Sequence, residues 1–198
     1  DKILSTLEEA SNLTEHDWDC HRMLCSASMH FENFEQALSH AQKAYELNPN
    51  NPIVLWLYGE SLIFNGEFEI GIDLLKKARK LDPTNSEIDE IIMWGFYASG
   101  DYQSCIENTE NNKKLDAQTW LLRIASLGAM MMNNERDQEL ELFNKTHGEG
   151  EIESHWQELE FNNSAIKQAT KHFLFDTGES IGDLIDETKT ETLSLNPN

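Results

Sequence analysis

Positive charge is scarce in this chain. Fifteen lysines and arginines stand against 36 aspartates and glutamates, for a net charge of −21 over 198 residues. Such a surface repels nucleic acid and anionic membranes. It favours a basic partner, or it serves solubility alone. The one basic cluster, Lys76, Lys77, Arg79 and Lys80, falls near the end of an expected helix, where cations complement the dipole. It is too small to form a nucleic-acid patch. Cysteine is also scarce. Cys20, Cys25 and Cys105 give no disulfide framework and fit a reducing compartment, so the cytoplasm is the expected location. No apolar run approaches the ~18 residues that span a bilayer, and the longest oily stretch, 53–64, carries Glu60. A phosphate-binding glycine loop, a nucleophile elbow and a CxxC pair are all missing. The chain is therefore expected to be neither an enzyme nor a cofactor carrier.

What is present is a repeat. The sequence matches itself at a shift of 34 residues: Pro49 with Pro83; Leu47 with Leu81 and Leu115; Phe34 with Phe68 and Tyr102; Ala37 with Gly71 and Cys105. A period of this size means a stack of small units, each burying its apolar face against its neighbours. In the unit 18–51, apolar or small residues recur at Met23, Leu24, Ala27 and Phe31, then at Phe34, Ala37, Leu38, Ala41, Ala44 and Tyr45. Both patterns have helical spacing. Asn48-Pro49-Asn50-Asn51-Pro52 ends one helix and starts the next. The second copy, 52–85, turns at Gly66-Glu67-Phe68, and the third, 86–119, at Gly100-Asp101-Tyr102.

These residues resemble the tetratricopeptide repeat family. Gly59, flanked by Tyr58 and Leu62, sits where the family places a small residue in its first helix. Gly71, Leu75, Ala78 and Pro83 complete the second helix and its stop. Small residues let two helices approach closely. Two positions depart from the pattern, Met93 for the small residue and Asn112 for the alanine of the third copy, which predicts a looser third interface. The resemblance implies an all-α fold, a right-handed superhelix of antiparallel helix pairs, or α-α solenoid.

The period also extends backward. Residues 2–13, with Leu4, Leu7 and Ala10, match the second helix of a unit whose first helix is missing. Residues 1–17 are thus expected to be the remnant of a preceding repeat, and the chain to begin in mid-repeat. Beyond Thr119 the period blurs. Residues 120–147 read as a degenerate fourth pair, helical over 120–132 and 135–145, with Asn133-Asn134 as its turn. Residues 148–198 read as irregular helices over 152–161, 165–175 and 180–188, with a decayed fifth repeat as one reading of the segment.

Several side chains have the chemistry of metal ligands without the arrangement. His16, Cys20, His21 and Cys25 spread around one helix and cannot converge without a second element. Cys25 and Cys105 share registers with Gly59 and Gly71, so they read as small core residues. His147 and His155 flank a loop with Glu149, Glu151 and Glu153 that reads as solvated. Asp183, Asp186 and Glu187 lack the glycine of a calcium loop. No metal site is expected.

By the resemblance, the first helices of successive units line a concave groove. Helical phase then places Arg22 and Met29 on it from the first unit, Trp56, Glu60 and Phe64 from the second, and Glu87, Glu90, Trp94 and Tyr97 from the third. The clamp by which some family members hold a carboxylate is absent. Its positions carry Arg22, Ser26, Leu57, Glu87 and Ile91, and only Arg22 has the right charge. The groove is instead aromatic and acidic, suited to a basic or amphipathic peptide or helix, unless the same aromatics pack between units. The expected function is protein–protein interaction. Alternatives are a regulatory arm of a larger bacterial signalling protein, of the winged-helix or adenylate cyclase type, and a sensor of an apolar small ligand.

Overall fold

The computed structural model describes residues 5–6, 9, 17–110, 115–158 and 170–174. Every regular element among them is a helix: α1 (Trp18–His30), α2 (Phe34–Leu47), α3 (Pro52–Phe64), α4 (Phe68–Leu81), α5 (Glu87–Ala98), α6 (Tyr102–Glu110), α7 (Ala117–Ala129), α8 (Asn133–His147) and α9 (Glu151–Glu158). Residues 170–174 are also helical. The architecture is all-α and built from consecutive helix pairs, the class of an α-α solenoid. No helix among the described residues is long and apolar enough to cross a membrane. The chain divides into two compact units, 1–95 and 96–198.

Side-chain caps fix where most pairs begin. The Asp17 carboxylate accepts from the Asp19 amide ahead of α1. The Asn51 side chain accepts from Ile53 and Val54 ahead of α3, with Pro52 at the first helical position. Asp116 accepts from Thr119 ahead of α7. These caps satisfy amides that a helix start leaves without partners.

The inner turns share one geometry. Gly66 has φ +85°; its amide donates to the Ile63 carbonyl at 3.0 Å and the next amide, Glu67, donates to Leu62 at 2.9 Å. This is the Schellman pattern, in which a left-handed residue lets two late amides close the last turn. Gly100, with φ +79°, repeats it. So do Glu32 at φ +56° and Met131 at φ +58°, without glycine. The first three turns lie 34 residues apart, and the fourth follows after 31. That loss of three residues is why a strict 34-residue comparison falls out of step beyond Thr119. It also corrects the fourth turn. The Met131 amide donates to Gly128 and the Met132 amide to Leu127, while Asn133-Asn134 opens α8.

Within the first unit, α3 and α4 meet at two glycines, Gly59 and Gly71, and Leu75 and Ala78 are fully buried behind them. Cys25, Ala37, Ala41 and Leu57 form the seam between the first pair and α3. In the second unit, Leu121, Leu122, Ile124 and Phe143 are wholly buried between α7 and its neighbours. Met93, which departs from the family pattern, is 2% exposed. Asn112, most of the helix expected over 2–13 and the segment 180–188 lie outside the described residues.

Candidate partner-binding face

Of the predicted groove residues, Arg22 and Met29 fall on α1, Trp56, Glu60 and Phe64 on α3, and Glu87, Glu90 and Trp94 on α5, all in the first unit, whereas Tyr97 falls in the second. On α3, Trp56, Glu60 and Phe64 are one turn apart and therefore share a face. On α5, Glu87, Glu90 and Trp94 do the same. Within the first unit, Gly95 lets α5 approach α3 and α4, since a Cβ there would stand 2.8 Å from Ile63 Cδ1 and 2.9 Å from Ile72 Cγ1. Trp56, Glu60, Phe64, Glu90 and Trp94 are half-buried, and Glu87 is exposed.

Glu60 is the electrostatic centre of this face. Burial first, and the Glu87 carboxylate second, push its carboxyl up to about 7. A half-buried acid beside a second acid is disfavoured as a charge, and a cation brought to it reverses that preference. One turn before it, the Trp56 indole N–H is buried and meets no hydrogen-bond acceptor among the described residues. Trp56 and Glu60 thus combine an aromatic ring, an unsatisfied donor and a carboxylate poised near neutral pH on adjacent turns.

The other predicted residues have packing partners. Phe64 stacks on Phe34 with ring centroids 5.0 Å apart, and the neighbouring Asn65 side chain donates to the Phe34 carbonyl at 3.0 Å. Met29 lies against the Cys25–Ala37–Ala41–Leu57 seam, where the Ser61 hydroxyl approaches its sulfur at 3.9 Å. Arg22 donates from Nε to Asp19 at 2.6 Å, so its charge is already engaged on its own helix. Tyr97, which falls in the second unit, is only 2% exposed. Its hydroxyl hydrogen-bonds the Thr170 hydroxyl at 2.7 Å.

Cys25 and Cys105 are both fully buried. Burial pushes each thiol up to about 11, against the lowering effect of hydrogen bonds from Ser61 and Ser126 respectively. Cys20 is half-buried, and its thiol points to Asp17 at 3.7 Å. Among the described residues no cluster of three or more His, Cys, Asp or Glu side chains is arranged to hold a metal.

Two polar groupings, one buried and one half-buried, were not anticipated. His21 and His40 meet between α1 and α2, with Nδ1 atoms 3.2 Å apart and rings stacked at 5.4 Å. A shift of 34 residues takes them to Leu55 and Leu74, both buried. Polar residues standing in a register that is leucine in the next copy were the available signal. In the second unit, Glu139 accepts from Trp120 Nε1 at 2.8 Å and from Arg123 Nε at 3.1 Å. Arg123 also donates to the Thr109 hydroxyl at 2.7 Å, joining α6, α7 and α8. This network comes from three helices and leaves no local sequence pattern.

The tetratricopeptide repeat family model matches residues 28–91. Among curated proteins, the chain is similar to the BBSome complex member BBS4 of Bos taurus, 24% identical over 131 residues, which are 66% of this chain and 25% of that protein. It is also similar to the transcriptional regulator HilA of Salmonella typhimurium, 32% identical over 81 residues, 41% of this chain and 15% of HilA. The chain thus spans a quarter or less of these relatives. Among solved structures it resembles YrrB, a tetratricopeptide repeat protein with an unusual peptide-binding site, at 13% identity and a TM-score of 0.56, covering 97% of this chain and 93% of the other. Spacing, turn geometry and the family match agree: residues 28–91 of this chain are tetratricopeptide repeats.

Proposed function

We propose that this chain is a non-catalytic protein-interaction module whose α3–α5 face takes a basic or amphipathic peptide or helix. The observation that carries the reading is the pairing of Trp56 and Glu60 on adjacent turns, with Glu87 close enough to raise the Glu60 carboxyl. A lysine or arginine of the partner would restore the charge of Glu60 and lie along an indole face, an arrangement that favours cations over neutral side chains. Trp94 and Glu90 extend the same chemistry along α5. YrrB, described by its peptide-binding site, and BBS4, a member of a protein complex, are in keeping with such a role.

The test is binding of lysine- and arginine-containing amphipathic peptides to the wild-type chain and to a Trp56→Ala, Trp94→Ala double variant, with circular dichroism on both. Loss of binding with helicity intact supports the face. Unchanged binding moves the site elsewhere on the chain. Unfolding of the double variant makes the tryptophans core residues and ends the proposal.

The match to HilA favours a second reading, in which the repeats are a regulatory arm of a larger transcriptional regulator. The arm would bind its partner by the same chemistry and pass the effect to domains outside these residues.

A further inference from the structure

His147 and His155 flank a loop that the sequence alone reads as solvated. The fold brings them together. His147 closes α8 and His155 lies on α9, with Gly148-Glu149-Gly150 between the helices. Both glycines are left-handed, at φ +114° and φ +89°, and α9 returns to pack on α7 and α8. The two imidazole rings meet with centroids 5.5 Å apart and planes at 75°. A shared wall of rings holds them. Phe143, fully buried, stacks on His147 at 4.5 Å and meets His155 edge-on at 5.9 Å. Trp120 stands edge-on to both Phe143 and His147. The pair is still open to solvent, since His147 is exposed and His155 half-buried.

This spacing matches that of two histidines on one metal ion. An ion about 2.1 Å from an imidazole nitrogen lies about 3.2 Å from the ring centre, so two imidazoles on one tetrahedral ion have centroids about 5.2 Å apart. Ring planes turn freely about the metal–nitrogen bond, so an angle of 75° is compatible with a shared ion. A third donor is close by. A Cβ on Gly148, the residue after His147, would meet the Glu151 Cγ at 3.3 Å, so the Glu151 side chain folds over the turn beside the pair. As folded, the donors fall short of a three-ligand cluster, and rotation of the exposed Glu151 side chain completes one. Glu149 and Glu153 add negative charge around it, which draws cations. A packing role asks only for rings, whereas two imidazoles and a carboxylate are a donor set for zinc.

We infer that His147 and His155, with Glu151 as third ligand and water as fourth, bind a divalent transition ion of the zinc type and staple α9 to the end of α8. The site lies in the second unit and stands or falls separately from the α3–α5 face.

The test is calorimetric titration of the chelator-treated full chain with Zn2+, alongside melting curves with and without the ion. One ion per chain is expected, with a dissociation constant in the micromolar range and a melting temperature that rises with zinc concentration. His147→Phe and His155→Phe keep a ring in each place and remove one ligand each. Each is expected to weaken binding at least about ten-fold with helicity intact by circular dichroism. Glu151→Gln is expected to weaken it as well. No binding by the wild type, or binding that any of the three variants leaves unchanged, overturns the site. Should a phenylalanine variant unfold, Co2+ added to the wild type decides by NMR. Paramagnetic broadening of the His147 and His155 imidazole signals ahead of the remaining histidines supports the site, and broadening that begins elsewhere overturns it.

Discussion

Gly59 and Gly71 stand face to face across the α3–α4 pair. A Cβ on Gly71 would lie 2.7 Å from the Gly59 carbonyl oxygen, and one on Gly59 would lie 2.8 Å from the Gly71 carbonyl oxygen. Each obstacle is backbone, which cannot rotate away. Alanine is the better helix former by about 1 kcal/mol, so propensity alone predicts stabilisation at either site. The clash predicts the opposite. Gly59→Ala and Gly71→Ala are each expected to lower stability by roughly 1–3 kcal/mol, read from urea denaturation of the full chain. A neutral or stabilised variant would mean that the two helices separate at no cost.

Met131 makes the reverse case. It is 70% exposed and holds φ +58° in the fourth Schellman turn. A left-handed backbone costs a residue with a Cβ about 1 kcal/mol that glycine does not lose. Met131→Gly is expected to raise the melting temperature, and Glu32→Gly, at φ +56°, to do the same in the first unit. Gly66→Ala and Gly100→Ala are expected to lower it.

His21 and His40 occupy positions that the next repeat fills with Leu55 and Leu74. Replacing both partners of a buried polar pair by apolar residues is often neutral or stabilising, whereas replacing one leaves the other to be resatisfied. The His21→Leu, His40→Leu double variant is expected to match or exceed wild type in thermal stability, with each single variant about 1–3 kcal/mol below it. A double-mutant cycle measures the coupling directly.

The raised Glu60 carboxyl should make the protein lose stability as pH rises from the ordinary carboxylate range to about 7. The Glu60 carboxyl titrates at about 7 in the folded chain against an ordinary value of 4.5. A folded pKa raised above the unfolded one means that stability is fully present below the ordinary value and declines as pH climbs through 7. Glu60→Gln removes that decline. The gap in melting temperature between Glu60→Gln and wild type is expected to be small at pH 4.5 and to widen in favour of the variant by pH 8. A basic peptide bound at this face should cancel the difference, because it favours the charged carboxylate.

Much of the fold was legible because the repeat writes the same packing instruction several times. Phe34, Phe68 and Tyr102 each open a second helix, at the expected residues. The fourth turn was misplaced for a physical reason: a search for glycine finds Gly66 and Gly100, but the hydrogen bonds that close the turn are made by backbone and accept Met131 equally. The candidate face was legible only as a set of positions. Helical phase says which residues share a side, not which are engaged with neighbours. Phe64 turned out to stack on Phe34, Arg22 to pair with Asp19, and Tyr97 to be enclosed with Thr170. The Arg123–Glu139 network joins residues that no spacing rule connects.

The deep burial of Cys25 and Cys105 has a practical corollary. A thiol held near 11 inside a packed seam is almost wholly unionised at neutral pH and screened from reagents. Cys20, at the rim of α1, differs in its accessibility. A maleimide dye applied to the native protein should therefore attach at this single address, giving a reporter on the first helix pair without any engineered cysteine.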